Sequence, residues 1–242
     1  MKKILIIFGV LFLSGAAVAV AMNEGLSQYD KHYTWRYKMT VEIETPEGIK
    51  TGSAVRQVDI DWKAIDWSQI NNEPQYSIKN KVSGEAVVVD LGGHGKLFTL
   101  IDDRAYYDAP RAFNLKKFED VEALPIGHKA EFDASNYPGP LKIVTFKDIN
   151  DPKSVELVMA WEKDKNGQYA MRENKLEELF GEDVSLQSIT IEMTDDQVAW
   201  GLVDEYLPEV FNTQIKGNWK NLPYELKSKL YGLTRFKHGG PE

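Results

Sequence analysis

The chain has 242 residues, no cysteine and a formal net charge of −8 at pH 7. The absence of cysteine excludes disulfides, a lipid-modified cysteine, zinc–cysteine sites and thiol nucleophiles. An acidic protein repels phosphate backbones, so we expect no nucleic-acid partner. No motif in the sequence indicates a particular chemistry. We therefore expect no cofactor.

Residues 1–21 have the layout of an export segment. Lys2 and Lys3 precede an apolar run at residues 4–13, and two overlapping Ala-x-Ala sites follow at residues 17–21. This pattern predicts a secretory signal peptide. The uncharged stretch is also just long enough for an N-terminal membrane anchor, and in either case the positive-inside bias places the rest of the chain across the membrane. Both outcomes predict a periplasmic or exported protein, in the second case tethered to the inner membrane.

The region after the export segment begins with a polar tether at residues 22–31, followed by a strongly alternating strand. Its apolar residues occupy every second position from Trp35 to Ile43, which is the period of a half-buried strand. The sequence Thr45-Pro46-Glu47-Gly48 then predicts a tight turn, because proline presets φ and glycine accepts the positive φ that closes it. A hairpin is therefore expected here.

The second strand, roughly residues 51–62, has an inconsistent alternation. Ser53 and Val55 are at odd positions, whereas Val58, Ile60 and Trp62 are at even positions. One strand cannot keep both sets on one face, so we expect a bulge or bend near Arg56 and Gln57.

Further elements follow in chain order. A hairpin is predicted between Glu85 and Ile101, with a doubly covered central strand at residues 86–89 and a loop at residues 92–95. Two more strands are predicted at residues 141–146 and 184–193. Short helices are predicted after Asp151-Pro152, at residues 176–180, at residues 198–206 behind a Thr194–Gln197 capping box, and after Pro223. This pattern favours a single α+β domain over residues 32–242, with a mainly antiparallel sheet of about six strands built from hairpins and short helices in the C-terminal half.

Signatures of catalysis are weak. The four histidines are far apart in sequence, and the zinc-protease and serine-nucleophile motifs are absent. Asp148, Asn150 and Asp151 place oxygen ligands close together and are candidates for a calcium site. The glycine and the distant glutamate of a calcium loop are missing, however, and Asx turns with a helix N-cap explain the same residues. The sequence therefore identifies no residue as catalytic or cofactor-binding.

The C-terminal segment differs in charge from the rest of the chain. From residue 214 onward the net charge is +4, whereas residues 22–213 carry −14. Aromatic residues are interleaved with these cations, which suits an anionic membrane surface or an acidic protein partner. We therefore predict an interaction surface here, formed by Lys216, Trp219, Lys220, Lys227, Lys229, Arg235 and Lys237. In the alternative interpretation, Leu226 and Leu230 dock this segment onto the core and the lysines are merely solvated.

Several segments together resemble a group of uncharacterised bacterial exported or lipoprotein-like envelope proteins. The segments are residues 37–48, 52–55 and 84–92, then Leu97, Phe98, Phe146, Asp148, residues 150–155, Phe180, Gly181, residues 194–196, Gly201, Leu207 and Pro208. The resemblance covers roughly residues 33–210 and implies an envelope location but no activity. Unlike the lipoprotein-like members, this chain has no cysteine for a lipid anchor.

The sequence thus predicts an exported cell-envelope protein that binds an envelope protein partner, a small ligand or a membrane surface without being an enzyme. The alternative is a periplasmic hydrolase that uses carboxylates, in its metal-dependent form through Asp148, Asn150 and Asp151.

Overall fold

The computed structural model describes residues 27–67, 74–133, 136–151, 154–207 and 236–238. The chain forms two compact units. Unit 1 comprises Met1–Tyr33 and Ile60–Asn80, and unit 2 comprises Thr34–Asp59 and Lys81–Glu242. The single domain predicted over residues 32–242 stays a prediction.

Most of the described chain is β-structure arranged in two antiparallel sheets. Its strands are β1 (Lys31–Glu44), β2 (Lys50–Trp67), β3 (Pro74–Glu85), β4 (Val87–Asp90), β5 (Lys96–Thr99), β6 (Lys129–Phe132), β7 (Leu141–Phe146), β8 (Val155–Lys163), β9 (Tyr169–Asn174), β10 (Ser185–Met193) and β11 (Lys237–His238). One sheet has six strands in the order β11-β3-β2-β1-β10-β6. The other has five, in the order β4-β5-β7-β8-β9. The α+β class with a mainly antiparallel sheet is confirmed.

The prediction of about six strands in one sheet is wrong, because the described residues alone form eleven strands in two sheets. The missed strands lack a period of two. Residues 77–81 of β3 are all exposed, and Val158 to Trp161 of β8 are all buried, so neither shows the alternation that marks a half-buried strand. β6 and β11 are four and two residues long, too short to show any period.

Four α-helices, each of five residues, lie in the described chain: α1 (Asp108–Ala112), α2 (Phe118–Glu122), α3 (Leu176–Phe180) and α4 (Leu202–Tyr206). Two 3-10 helices lie at Gly92–His94 and Ala105–Tyr107. α3 and α4 confirm the short helices expected in the C-terminal half, but α1 and α2 lie before it. A five-residue helix is little more than one turn, so it leaves no amphipathic period in the sequence. No helix of the described residues has the length and apolarity needed to span a membrane.

β1 confirms the predicted alternation, since every odd position from Tyr33 to Ile43 is buried. The turn that follows is also confirmed. The Gly48 N–H donates to the Thr45 carbonyl over 2.9 Å, and Gly48 has a φ of 106°. β1 pairs with β10, which places Val41 opposite Ile189.

β2 corrects the expected change of face near Arg56. Its buried positions are even throughout, namely Gly52, Arg56, Val58 and Ile60, while Ser53 is exposed. The alternation looked broken because an arginine occupies a core position. Gly52 is buried for a steric reason, since a Cβ there would lie 2.0 Å from the Val88 carbonyl oxygen.

Residues 86–89 also differ from expectation. They are buried, but β4 is a terminal strand of the five-stranded sheet, not a central one. The close approach of Gly52 to the Val88 carbonyl contributes to this burial. The loop at residues 92–95 closes the β4–β5 hairpin as predicted, with Leu91 N–H bonded to the Gly95 carbonyl.

The prediction of a Thr194–Gln197 capping box is wrong. Residues 194–200 are not helical, and the Thr194 hydroxyl accepts from the Asp196 N–H instead. α4 begins only after Gly201, and the buried Glu85 carboxylate caps it by accepting from the Gly201 and Val203 N–H groups over 2.9 and 3.2 Å. The helix expected after Pro223 lies outside the described residues. The helix expected after Asp151-Pro152 is wrong, because residues 152–153 are not described and Val155 already begins strand β8.

A hydrophobic cluster within unit 2 packs α4 against strands of the five-stranded sheet and against Phe236. Its members are Ala86, Val88, Phe98, Leu100, Val144, Phe146, Val155, Val203, Leu207 and Phe236. Phe236 contacts the rings of Phe98 and Phe146 at 5.4 and 5.9 Å between centroids. The residue that precedes β11 is therefore part of the core.

Unit 1 has its own small contact set. The Trp62 ring lies 6.2 Å from Tyr33 and 5.3 Å from Tyr76 between centroids. His32 Nδ1 lies 2.8 Å from the Asp61 carboxylate, and both side chains are more than half exposed. His32 therefore makes an exposed contact with Asp61, as expected for a histidine outside any site.

Candidate functional site

The predicted acidic site forms a local turn. Asp148 Oδ1 accepts from the Asn150 backbone N–H over 2.9 Å and lies 3.3 Å from the Asn150 side-chain amide. The Ser154 hydroxyl closes the loop, since its oxygen lies 2.7 Å from both the Asp148 and the Asp151 carbonyl oxygens and can donate its one proton to either. No group of three or more histidine or acidic side chains in the described part of the chain is arranged to hold a metal ion. These contacts are those of an Asx turn.

Of the predicted interaction surface, only Lys237 is described. Its ammonium group lies 3.2 Å from the Glu85 carboxylate and also pairs with Asp204. Lys216, Trp219, Lys220, Lys227, Lys229 and Arg235 lie outside the described residues. Lys237 therefore forms an ion pair with the buried Glu85 carboxylate. The neighbouring Phe236 packs in the hydrophobic cluster of unit 2.

Sequence reasoning missed the most unusual polar group of unit 2, which we call the inner cluster: Tyr37 of β1, Arg56 of β2 and Asp108 of α1. All three side chains are at most 3% exposed. The Tyr37 hydroxyl donates to Asp108 Oδ2 over 2.8 Å, and Arg56 Nη1 lies 3.5 Å from the same oxygen. Arg56 Nη2 donates to the Thr99 carbonyl over 3.2 Å. The cluster thus joins both sheets to α1.

The electrostatics of the inner cluster follow from its burial. Burial raises the pKa of Asp108 to about 6, although the Arg56 charge and the Tyr37 hydrogen bond both act to lower it. Burial and the neighbouring Asp108 likewise raise the pKa of Tyr37 well above its ordinary value, so Tyr37 stays neutral. Burial acts to lower the pKa of Arg56, but Tyr37 and Asp108 outweigh it and the pKa is raised. Arg56 is therefore a permanent charge and Asp108 a titratable one.

Beside the inner cluster lies a second set of side chains, which we call the donor site: Arg111 of α1, Tyr137, Trp161 of β8 and Tyr169 of β9. The Arg111 guanidinium carbon lies 5.4 Å from the Tyr169 ring centroid and 5.0 Å from that of Tyr107. The Tyr137 and Trp161 rings meet edge to face at 6.2 Å between centroids. Arg111 and Tyr169 are half-buried, whereas Tyr137 and Trp161 are at most 2% exposed.

Gly139 connects the two sides of the donor site. A Cβ at this position would lie 3.3 Å from Arg111 Nη1 and 3.3 Å from the Tyr137 ring. Arg111 and Tyr137 therefore both pack closely against Gly139, and a larger residue at this position would have to displace one of them.

The donor site carries polar atoms without a hydrogen-bond partner in the described protein. They are Arg111 Nη1, the Tyr169 hydroxyl and Trp161 Nε1, and each of these atoms is buried. The buried Tyr137 hydroxyl instead interacts with the Asp108 carboxyl and acts to lower the pKa of that carboxyl. Arg56 Nε of the adjoining inner cluster and the hydroxyl of Thr99, whose carbonyl accepts from Arg56, also lack a hydrogen-bond partner. A buried polar atom without a partner costs about 1–3 kcal/mol, so three in one set of neighbouring side chains require an explanation.

The strand that presents Trp161 is irregular at that residue. The pairing of β8 with β9 shifts register between Ala160 and Trp161. Such bulges re-aim a side chain and are concentrated beside functional sites. The only signal of this region in the sequence was the apparent break in alternation at Arg56.

No family model, curated protein or solved structure matches the chain.

Proposed function

We propose that the chain is an exported, non-enzymatic binding protein of the bacterial cell envelope and that unit 2 holds a small ligand at the donor site. The observation that carries the proposal is the group of buried polar atoms on Arg111, Trp161 and Tyr169 that lack protein partners in the described chain. A bound molecule that supplies those partners removes the cost of leaving them unpaired.

The envelope location is supported by the sequence of residues 1–21, where two lysines, an apolar run and small residues follow one another. The absence of cysteine is compatible with any redox compartment, because the protein depends on packing and not on disulfides for its stability.

The non-enzymatic role is supported by the state of Asp108. A carboxyl group with a pKa of about 6 suits general acid–base chemistry near neutral pH. Asp108, however, is 3% exposed and is bound by Tyr37 and Arg56, so it has no access to a substrate at the surface. Its contacts suit a structural and electrostatic role behind the donor site.

The location is tested by the intact mass of the protein extracted from envelopes. A chain that begins at Val20 or Met22 indicates a cleaved signal peptide, and a full-length mass in the membrane pellet indicates an anchor. Recovery of the full-length chain from the cytoplasmic fraction would contradict export.

The binding role is tested by native mass spectrometry of the protein isolated gently from envelopes. We expect an adduct of one small molecule, released on unfolding. In the Tyr169→Phe variant this adduct should be weakened, whereas Tyr76→Phe, a matched change in unit 1, should leave it unchanged. A ligand-free protein that also captures nothing from envelope extracts would contradict the proposal.

The hydrolase alternative makes a different prediction for the Asp148 turn. Asp148→Ala and Asp151→Ala would abolish a metal-dependent hydrolase. In a binding protein the same changes only loosen an exposed turn, because Asp148 and Asp151 bond to Asn150 and Ser154 there. Activity on envelope substrates that disappears in both variants would replace our proposal with the hydrolase.

The cationic C-terminal segment remains our proposal for contact with an acidic envelope partner or a membrane surface. Phe236 is buried and Lys237 pairs with Glu85, so truncation would remove part of the core. Charge reversal of Lys227 and Lys229 in the full chain is the cleaner test. We expect it to reduce co-sedimentation with anionic vesicles or a partner at low salt, since each cation near anionic lipid contributes about 1 kcal/mol.

A further inference from the structure

The hydrophobic cluster of unit 2 has two sides that are held in place differently. One side belongs to the five-stranded sheet, where β4, β5, β7 and β8 pair in one antiparallel ladder. Its members are Val88, Phe98, Val144, Phe146 and Val155. The other side consists of Val203 and Leu207, from α4 and the residue after it, and of Phe236. We call residues 236–238 the strap, and α4, Leu207 and the strap together the lid.

Little secondary structure holds the lid in place. α4 has five residues, and β11, which belongs to the strap, has two. In the described chain β11 forms two residue pairs with β3, and the Phe236 carbonyl accepts from the Ala86 N–H over 2.7 Å. By contrast, β1 and β10 pair along eight residues. Segments with so few contacts open at a lower free energy than the rest of a domain.

One buried carboxylate connects the two parts of the lid. Glu85 is 2% exposed, and its two oxygens accept from the Gly201 and Val203 N–H groups at the start of α4. The Lys237 ammonium group of the strap lies 3.2 Å from the same carboxylate and also pairs with Asp204 of α4. Glu85 therefore binds the helix through backbone donors and the strap through a charge, and Lys237 joins the strap to the helix directly.

These contacts make each part of the lid depend on the other. Burial acts to lower the pKa of Lys237, but the hydrogen bonds to Asp204 and Glu85 outweigh it and the pKa is raised. If the strap leaves, Glu85 loses this cation while still buried. If α4 leaves, Glu85 loses two donors and Lys237 loses Asp204. A buried carboxylate deprived of its partners is costly, so opening of one part removes stabilisation from the other.

We propose that α4 and the strap form one cooperative lid over the apolar side of the five-stranded sheet, with Glu85 and Lys237 as its latch. The lid opens as a unit while the β1–β10 ladder stays intact. In the open state the Phe98 and Phe146 rings lose the contact with Phe236 and become accessible from solvent. Elements that move in binding proteins are drawn from such segments of low local stability. The inference is independent of the donor site, whose residues belong neither to the cluster nor to the latch.

The test is hydrogen exchange of the purified full chain, measured for single amides at low denaturant concentrations. The Ala86 N–H, bonded to the Phe236 carbonyl, reports on the strap. The Glu205 and Leu207 N–H groups, bonded within the helical turn, report on α4. We expect all three amides to exchange through one opening, with the same free energy and the same dependence on denaturant. They should exchange faster than the amides of the β1–β10 ladder.

Variants of Lys237 test the latch. Lys237→Met should speed exchange at the Ala86 and Leu207 amides by the same factor, about 10-fold, the effect of losing a hydrogen bond to a charged group. The amides of the β1–β10 ladder should not change. Lys237→Arg keeps the charge and should restore most of the protection. Lys175→Met is the matched control, because Lys175 pairs with Glu173 at 3.2 Å outside the lid and should leave both amides unchanged.

A second latch variant acts on the carboxylate. Glu85→Gln keeps the shape of the side chain but removes its charge. It should speed exchange at the Ala86 and Leu207 amides more than Lys237→Met does, because Glu85 contacts both parts of the lid.

Three outcomes would overturn the inference. Faster exchange at Ala86 alone in Lys237→Met would show that the strap and α4 open separately. Equal acceleration of the β1–β10 amides would show that the latch stabilises the whole of unit 2 and not a lid. Unchanged exchange in both latch variants would show that the latch has no role. The unaltered protein provides a check that needs no variant, since different denaturant dependence at Ala86 and Leu207 would also refute a single opening.

Discussion

β1 and β2 are neighbours in the same sheet and alternate with the same period, but their buried positions in unit 2 differ in residue type. In unit 2, β1 buries Trp35, Tyr37, Met39, Val41 and Ile43, whereas β2 buries Gly52, Arg56 and Val58. β1 therefore supplies apolar core, and β2 supplies a close backbone approach and a buried charge. The comparison shows that two strands can share one geometry while only one of them is recognisable by its hydrophobic pattern.

The largest expected effect tests the apolar side of the comparison. Val41 of β1 is fully buried opposite Ile189, while Thr40 lies on the other face and is only half-buried. Val41→Asp should lower the free energy of unfolding by several kcal/mol, on the order of the whole margin of stability, because an unpaired carboxylate enters the core. Thr40→Asp should be mild. Equal melting temperatures for the two variants would contradict the assignment of faces.

Prediction from sequence succeeded where one residue type marks one environment. The β1 alternation, the turn at Gly48, the strands at residues 141–146 and 184–193 and the Gly181 helix end all depend on such local signals. It failed at Arg56, because an arginine at a core position is recognised only through its partner Asp108, 52 residues away. It failed at α4 for the same reason, since the cap comes from Glu85 and not from Thr194.

The donor site could not be predicted from the sequence. Its residues come from α1, the segment before β7, and two successive strands, and none of them forms a motif with its sequence neighbours. Only the tertiary fold brings Arg111 beside Tyr169 and Gly139. The predicted acidic site was the opposite case, because Asp148, Asn150 and Ser154 are close in sequence and simply form a turn.

The next prediction concerns the buried charge of β2. Arg56→Met should lower the free energy of unfolding by about 3–5 kcal/mol near neutral pH, because Asp108 is left as a buried carboxyl without its ion pair. The penalty should be smaller at about pH 5, where Asp108 is protonated. Arg104→Met, at an exposed pair with Asp102, should change stability by no more than about 0.5 kcal/mol. Chemical denaturation at both pH values provides the measurement.

An Arg56→Met variant as stable as the parent at neutral pH would show that the Tyr37 hydrogen bond alone is sufficient for Asp108. A penalty that grows as pH falls would contradict the assignment of Asp108 as the titrating group.

Asp108 itself should make stability depend on pH. Its pKa is raised in the folded protein from 3.8 to about 6, so the folded state binds a proton more tightly than the unfolded state. This contribution is fully present below about pH 4 and is lost as pH rises through about 6, amounting to about 3 kcal/mol. Asp108→Asn should remove it. The check is the difference in unfolding free energy between parent and variant across this window, and parallel pH profiles would refute the prediction.

The smallest effect tests the close approach that Gly52 permits. A Cβ at residue 52 would lie 2.0 Å from the Val88 carbonyl oxygen and 2.7 Å from its carbon, so β2 and β4 would have to separate. Gly52→Ala should therefore lower the free energy of unfolding by about 1–3 kcal/mol, the usual cost of overpacking. Gly93→Ala is the matched control, because nothing lies within 4 Å of a Cβ there. It should stay within about 0.5 kcal/mol of the parent. Because Val88 belongs to the hydrophobic cluster around Phe98 and Phe236, the Gly52→Ala change should also speed hydrogen exchange at the Val88 amide. Unchanged exchange and stability would mean that the two strands can move apart without cost, and β2 would then differ from β1 only through Arg56.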